Sequence, residues 1–251
     1  VNYEEFVKLI ISIGHDKKNL NVIENIIEET PEIINLQNQD GFTPLMYVCR
    51  YANSISNVEL INFLLNLSNI DINKHDRLGW TALMVACRYS NSDSNIGTVK
   101  LLLNHPNIDV NVQDEDGTTA LMMASRNSNV DSSIETVKLL LECENIDVNK
   151  QDKDGNTALI MACRNSNTNS NTETVKLLLD HVNIDVNMQD QKGWDALMAA
   201  CRNSNTDSNT ETVKLLLKCP NINVNLQNTD GWTALIASCR YSKTESTIDT
   251  V

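Results

Sequence analysis

The chain has 251 residues, 41% hydrophobic, 4% aromatic and 21% charged, and its 20 Lys+Arg against 33 Asp+Glu give a formal net charge of −13. That is too apolar for a disordered acidic tail, while no apolar run approaches the roughly 20 residues a membrane-spanning helix needs. The cation deficit argues against nucleic acid as a partner, because such binding neutralises phosphates with Lys and Arg. Three Trp, five Tyr and three Phe are few for one large core, so something other than aromatic packing must hold the chain together. Seven Cys, an odd number, with no basic start and apolar leader in these residues, favour a reducing cytoplasm, or the nucleus, over a disulfide framework.

In chain order, residues 1–37 carry one apolar helical signal around Tyr3 to Ile13 and another around Asn19 to Ile27, and Ile34-Asn35-Leu36-Gln37 then matches the V-N-x-Q of later segments. From residue 38 the sequence repeats. Gly41, Gly79, Gly117, Gly155, Gly193 and Gly231 are each 38 residues apart, and so are the Leu series from Leu45 to Leu235 and the Arg series from Arg50 to Arg240. Full units span 38–75, 76–113, 114–151, 152–189 and 190–227, after a degenerate 1–37 unit and before a truncated 228–251 unit. Thr250 and Val251 coincide with Thr212 and Val213, so the register breaks off inside a helix, as in a segment of a longer protein.

Each unit holds two helical signals. Ala82, Leu83, Ala86 and Cys87 form one helical stripe behind Thr81, which is placed to cap the helix. Thr43, Thr119, Thr157 and Thr233 repeat that cap, and the exception, Asp195, is another strong cap. The second helix runs through T-E-T-V-K-L-L-L, with Val213, Leu216 and Leu217 on one side and Lys214 toward water. Between helix pairs lies N-I-D-V-N-x-Q-D-x-x-G, an extended arm closing in a tight turn. Short helix pairs cannot bury their apolar faces alone, so the units must stack.

The order D-x-x-G-x-T-A-L-x-x-A, V-K-L-L-L, D-V-N resembles ankyrin repeats over nearly the whole chain. The resemblance implies a mostly α fold of L-shaped repeats, each a helix pair with a β-hairpin finger, stacked as a single curved solenoid over 1–251 with a concave binding face. Departures are the 38-residue unit against the family's 33, Pro44 alone for the family Pro, and Met46, Met84, Met122, Ile160, Met198 and Ile236 where the family has His. Four added residues make the N-S-N-x-x-S-N segment between the helices an expected polar, solvated loop.

Chemistry-bearing residues offer no catalytic, metal or cofactor site. Cys49, Cys87, Cys163, Cys201 and Cys239 share one repeat position; helices about 8–10 Å apart place neighbouring members beyond the roughly 7 Å Cα limit of a disulfide, and packing is the expected role. Cys143 and Cys219 lie outside that row. His15, His75, His105 and His181 form no metal-binding pattern, and the Asn/Ser loop lacks the Gly and closing Glu of a calcium site.

The aromatics are not scattered. Phe42, Trp80, Trp194 and Trp232 follow the turn Gly, and Tyr51, Tyr89 and Tyr241 follow the repeated Arg. The resemblance places both positions on the concave face, beside Arg50, Arg88, Arg126, Arg164, Arg202 and Arg240. Trp, Tyr and Arg dominate interface energetics, and an Arg row among aromatics suits an acidic peptide. The Arg series is equally open to a structural role, bonding the turn acids Asp76, Asp114, Asp152 and Asp190. The expected function is a non-catalytic adaptor or scaffold, monomeric, binding a protein or peptide and neither nucleic acid nor membrane. The alternative is a spacer or spring within a longer array. The resemblance also marks Asn73, Asn111, Asn149, Asn187 and Asn225 for asparaginyl hydroxylation, with a structural task in the finger as the default. Composition rich in Asn, Ile and Ser fits an AT-rich parasite or viral genome, for which the setting would be the host cytoplasm.

Overall fold

Helices of seven or eight residues are too short to persist alone in water, and those here gain packed neighbours and, in eight of them, a capping side chain. The computed structural model describes residues 2–13, 20–52, 58–204 and 210–241. His15, the Asn/Ser segments at 53–57 and 205–209, and the match of Thr250 and Val251 to a second helix lie outside these described residues.

Packing groups the chain into two compact units, Val1–Glu115 and Asp116–Val251, with the division inside the turn of the 114–151 repeat. Unit 1 holds α1 (Tyr3–Ile13), α2 (Leu20–Glu29), a 3-10 turn at Pro31–Asn35, α3 (Pro44–Arg50), α4 (Val58–Leu65), α5 (Ala82–Arg88) and α6 (Ile96–Leu103). Unit 2 holds α7 (Ala120–Asn127), α8 (Ile134–Leu141), α9 (Ala158–Arg164), α10 (Thr172–Leu179), α11 (Ala196–Arg202), α12 (Thr210–Leu217) and α13 (Ala234–Tyr241). First helices pack on first helices, α1 on α3 on α5 in unit 1 and α7 through α9 and α11 to α13 in unit 2; second helices form the other layer, α4 on α6 and α8 on α10 on α12. The mostly helical repeat fold and its register are those read from the sequence.

The caps are as expected. Thr43, Thr81, Thr119 and Thr157 accept the N–H of the third helical residue through their hydroxyls and Asp195 does so through its carboxylate. The Met that replaces the family His completes the box: the Thr43, Thr81 and Thr119 N–H groups donate to the sulfurs of Met46, Met84 and Met122 at 3.4–3.5 Å. The buried side of the second helix differs from expectation. Thr212, Val213 and Leu216 are buried, but Leu217 is 51% exposed. At the same repeat position Leu65 is buried and Leu103, Leu141 and Leu179 are half-buried, so the departure is particular to Leu217.

Those hydroxyls correct the solvated-loop reading. Ser90, Ser94, Ser128, Ser132, Ser166, Ser170 and Ser204 are buried. Thr174 Oγ1 donates to Ser128 Oγ at 2.7 Å, Ser166 and Thr212 share a 2.7 Å bond, and Asn129 reaches the next loop through the carbonyls of Asn169 and Thr168. The inserted residues therefore add a bonded row between repeats. Asn95, Ser133 and Asn171 end the loop by capping α6, α8 and α10.

The expected β-hairpin finger is bonded as a turn. The antiparallel bridge between His75 and Thr81 is the one β pairing among the described residues. Side chains replace ladder bonds: Asp76 Oδ1 accepts the N–H groups of Leu78 and Trp80, and Gln151 Nε2 donates to the carbonyls of Gly155 and, one repeat on, Gln189. Neighbouring turns are joined by Arg77 N–H to Asp40 O in unit 1 and by Gln191 N–H to Asp154 O in unit 2. Gly155 has φ +83°, and a Cβ there would sit 2.7 Å from the Gln191 nitrogen; Gly is needed for the dihedral and for the approach of the next turn.

The cysteine row is packing, as expected. Cys49, Cys87, Cys163 and Cys201 are buried free thiols, and burial pushes the Cys201 thiol up to about 12, so it stays protonated and inert. Cys239, in the last repeat, is exposed.

Candidate functional site: an aromatic and arginine face

The turn and the cap fix the first aromatic position from both sides. The N–H groups of Phe42, Trp80, Trp194 and Trp232 each donate at 2.8 Å to the turn residue four places back, and the next residue is the helix cap. Clamped backbone leaves the ring to occupy the face between turn and first helix. The second position is the residue that closes the first helix: Tyr51 and Tyr89 are its C-caps, with Arg50 and Arg88 just before them. Six of these seven rings are half-buried and Tyr51 is 38% exposed, so none has been drawn into the core.

In unit 1, Arg50 lies 3.1 Å over the ring of Tyr89 and 5.8 Å from that of Tyr51, while Arg88 lies 5.3 Å from Tyr89. Arg50 also pairs with Asp93 at 3.0 Å, an acid of the next repeat's loop instead of the expected turn acid Asp76. Phe42, Tyr47 and Tyr51 line a groove of about 560 Å³ with Asp40, Asp76, Arg77 and Leu78. Burial, then the neighbouring Tyr51, pushes the Tyr47 hydroxyl above its ordinary value. Trp80 stands outside that groove and makes no ring contact among the described residues.

In unit 2, Arg202 sits between two rings, 5.3 Å from Trp194 and 4.8 Å from Tyr241, and Tyr241 meets Trp232 with centroids 6.2 Å apart. Cation–π contacts of this kind contribute about 0.5–2 kcal/mol each. A groove of about 530 Å³ runs beside them, lined by Asn156, Arg164, Asn165, Asp190, Trp194, Arg202 and Asn203 among others. Arg164 bonds Asn156 Oδ1 at 3.0 Å and faces Asp190 at 3.6 Å, which is the expected turn-acid pairing. Arg126 and Arg240 are exposed and have no partner among the described residues. The structure thus uses the Arg row both ways: as a tie in Arg50 and Arg164, and as an open cation in Arg126 and Arg240.

The finger Asn residues have defined tasks. Asn73 Nδ2 donates to Asn107 O while its Oδ1 accepts from Asp109 N–H; Asn149 and Asn187 make the same pair two and three repeats further, and Asn35 one repeat earlier. The Asn111 and Asn225 N–H groups donate to Asp109 and Asn223 inside their own turns.

Sequence reasoning missed Tyr47 and Asp93. Tyr47 was findable as the one aromatic in a column otherwise Val85, Met123, Met161, Ala199 and Ala237; the Arg50–Asp93 pair was hidden because the Asp93 column varies between repeats, with Asn169 in one of them. Among the described residues no group of three or more His, Cys, Asp and Glu could hold a metal ion, and no helix is long and apolar enough to cross a membrane.

The family model for ankyrin repeats in three copies matches residues 2–114, 52–152, 92–190, 131–228 and 167–248. The chain belongs to the ankyrin repeat family. Among solved structures, it is similar to the ankyrin repeat domain of Bcl-3, described as a unique member of the IkappaB protein family, at TM-score 0.71 and 24% identity over 91% of this chain and 92% of that one. It is also similar to the ankyrin repeat protein EF0377, at TM-score 0.65 and 22% identity over 80% and 92%. No curated protein matches the chain in sequence. The ankyrin repeat is a general protein–protein interaction fold and is typically non-catalytic.

Proposed function

We propose that this ankyrin chain is a non-catalytic adaptor or scaffold that holds a protein or peptide partner on the face shared by its turns and first helices. The observation that carries the proposal is the run Trp194–Arg202–Tyr241–Trp232, half-buried rings linked through a guanidinium, of which Trp194 and Arg202 line a groove of about 530 Å³. Large rigid rings left at a surface while Leu, Val, Ala and Cys fill the core are the usual anchors of an interface. The test replaces Trp80, Trp194 and Trp232 together by Ala. Partner capture is lost while helicity by circular dichroism is kept; capture that survives overturns the proposal.

Monomeric action in a reducing cytoplasm or nucleus is part of the same reading, supported by the buried, protonated thiols and checked by sedimentation. Hydroxylation at Asn73, Asn149 or Asn187 would occur on side chains already bonded across the repeat boundary, and mass spectrometry after treatment with an asparaginyl hydroxylase checks it. The Asn and Gln bonds that recur between repeats favour a second reading, a spacer without a dedicated partner, for which the triple-Trp variant would change nothing.

A further inference from the structure

We infer that the arginine row of unit 2 selects an extended peptide bearing a carboxylate at every third residue; this rests on the docking face proposed above and names what would occupy it. Arg126, Arg164, Arg202 and Arg240 lie in the last turns of α7, α9, α11 and α13, and these four helices pack in that order. Packed helices are about 8–10 Å apart, and an extended chain in the polyproline II form advances about 3.1 Å per residue with three residues per turn, so every third side chain points the same way. One repeat therefore matches about three residues of extended peptide. An α-helical ligand, rising about 1.5 Å per residue, would need six or seven residues per step and could present only every second turn.

The charge balance of the row favours anions. Arg126 and Arg240 are exposed without a partner among the described residues, and Arg202 lies 5.3 Å from the Trp194 ring and 4.8 Å from the Tyr241 ring. Asp190, the acid beside Arg164, is spent on the fold: its Oδ1 accepts the N–H groups of Lys192 and Trp194 and its Oδ2 faces Arg164. Asp154 and Lys192, both exposed at the rim of the groove, offset each other. At Arg126 and Arg240 a planar guanidinium can receive a carboxylate through two parallel N–H bonds, which fixes register as well as sign, while Arg164, tied to Asn156 and Asp190, contributes its charge. The aromatic rings at Trp194 and Tyr241 cover the methylene stems of such side chains.

The test uses two fluorescein-labelled decapeptides of identical Glu, Ser and Gly composition, one with Glu at every third position and one with the Glu residues contiguous, titrated with the whole chain by anisotropy. The spaced peptide binds at least about tenfold more tightly, more weakly as salt rises, and Arg126→Ala weakens it several-fold without altering the circular dichroism spectrum or the contiguous peptide's affinity. Equal affinities, or no binding of either peptide, overturn the inference. If the peptides bind alike while the triple-Trp variant still abolishes partner capture, the three-residue register falls and the docking face stands; if capture survives the Trp replacements, the face falls with it.

Discussion

Asp195 shows how much one side chain can change inside an otherwise uniform array. It stands where five repeats have Thr and makes the same cap bond, 2.7 Å from the Met198 nitrogen, but it is 1% exposed. Burial pushes its carboxyl up to about 6 from the ordinary 3.8; N–H groups of Met198 and Leu197 pull the other way and Asp190 adds to the rise. The folded chain thus holds this proton more tightly than the unfolded chain, so stability falls as pH rises from about 4 to about 6, and the cost is complete above that window. Asp195→Thr is expected to raise Tm at pH 8 by on the order of a few °C, with the gain shrinking toward pH 4. Equal gains by thermal unfolding at both values would contradict the linkage. The capping role was legible in the sequence because cap chemistry is local. Burial was not, because it depends on the layer packed against the cap; the same is true of the Met46, Met84 and Met122 sulfurs, whose donors come from backbone positioned by the turn.

At the scale of elements, the turn glycines offer a comparison within one molecule. Gly155 and Gly231 share a left-handed backbone, φ +83° and +78°, but a Cβ on Gly155 would strike the next turn while one on Gly231 meets nothing within 4 Å. Gly231→Ala should cost about 1–2 kcal/mol, the strain of a left-handed L residue. Gly155→Ala should cost more, since the Asp154 to Gln191 backbone bond must also shift; urea unfolding of the two variants measures the difference, and equal losses would show that the close approach contributes nothing. The glycine row and the helix pairs were readable, because each is written in a 38-residue period. The inserted loop was not. Ser and Asn read as solvent-facing on composition, yet Ser128 and Ser166 are buried because Thr174 and Thr212 of the next repeat meet them with hydroxyls. Only stacking reveals that match.

For the whole molecule, bonds between nearest neighbours imply that damage stays local. Gly155→Ala should speed amide hydrogen exchange in the repeats on either side of it while α5 amides keep their wild-type rates; acceleration spread evenly over the chain would reject nearest-neighbour behaviour. The sequence placed seven aromatics in two columns, and the structure gathers most of them with arginines into one cluster in each unit. Which arginine became a tie and which stayed open was hidden, because the deciding partners, Asp93 and Asn156, come from columns that vary between repeats. The bonds across repeat boundaries, in contrast, recur at fixed sequence offsets: 34 and 36 for the finger Asn residues, 38 for the Gln series and 46 for the buried hydroxyls. Such a grammar has no absolute positions. A gene that loses or duplicates one 38-residue block re-forms every boundary bond of the same kind, so recombination can lengthen or shorten the docking face in whole steps while the core is left unaware of the change.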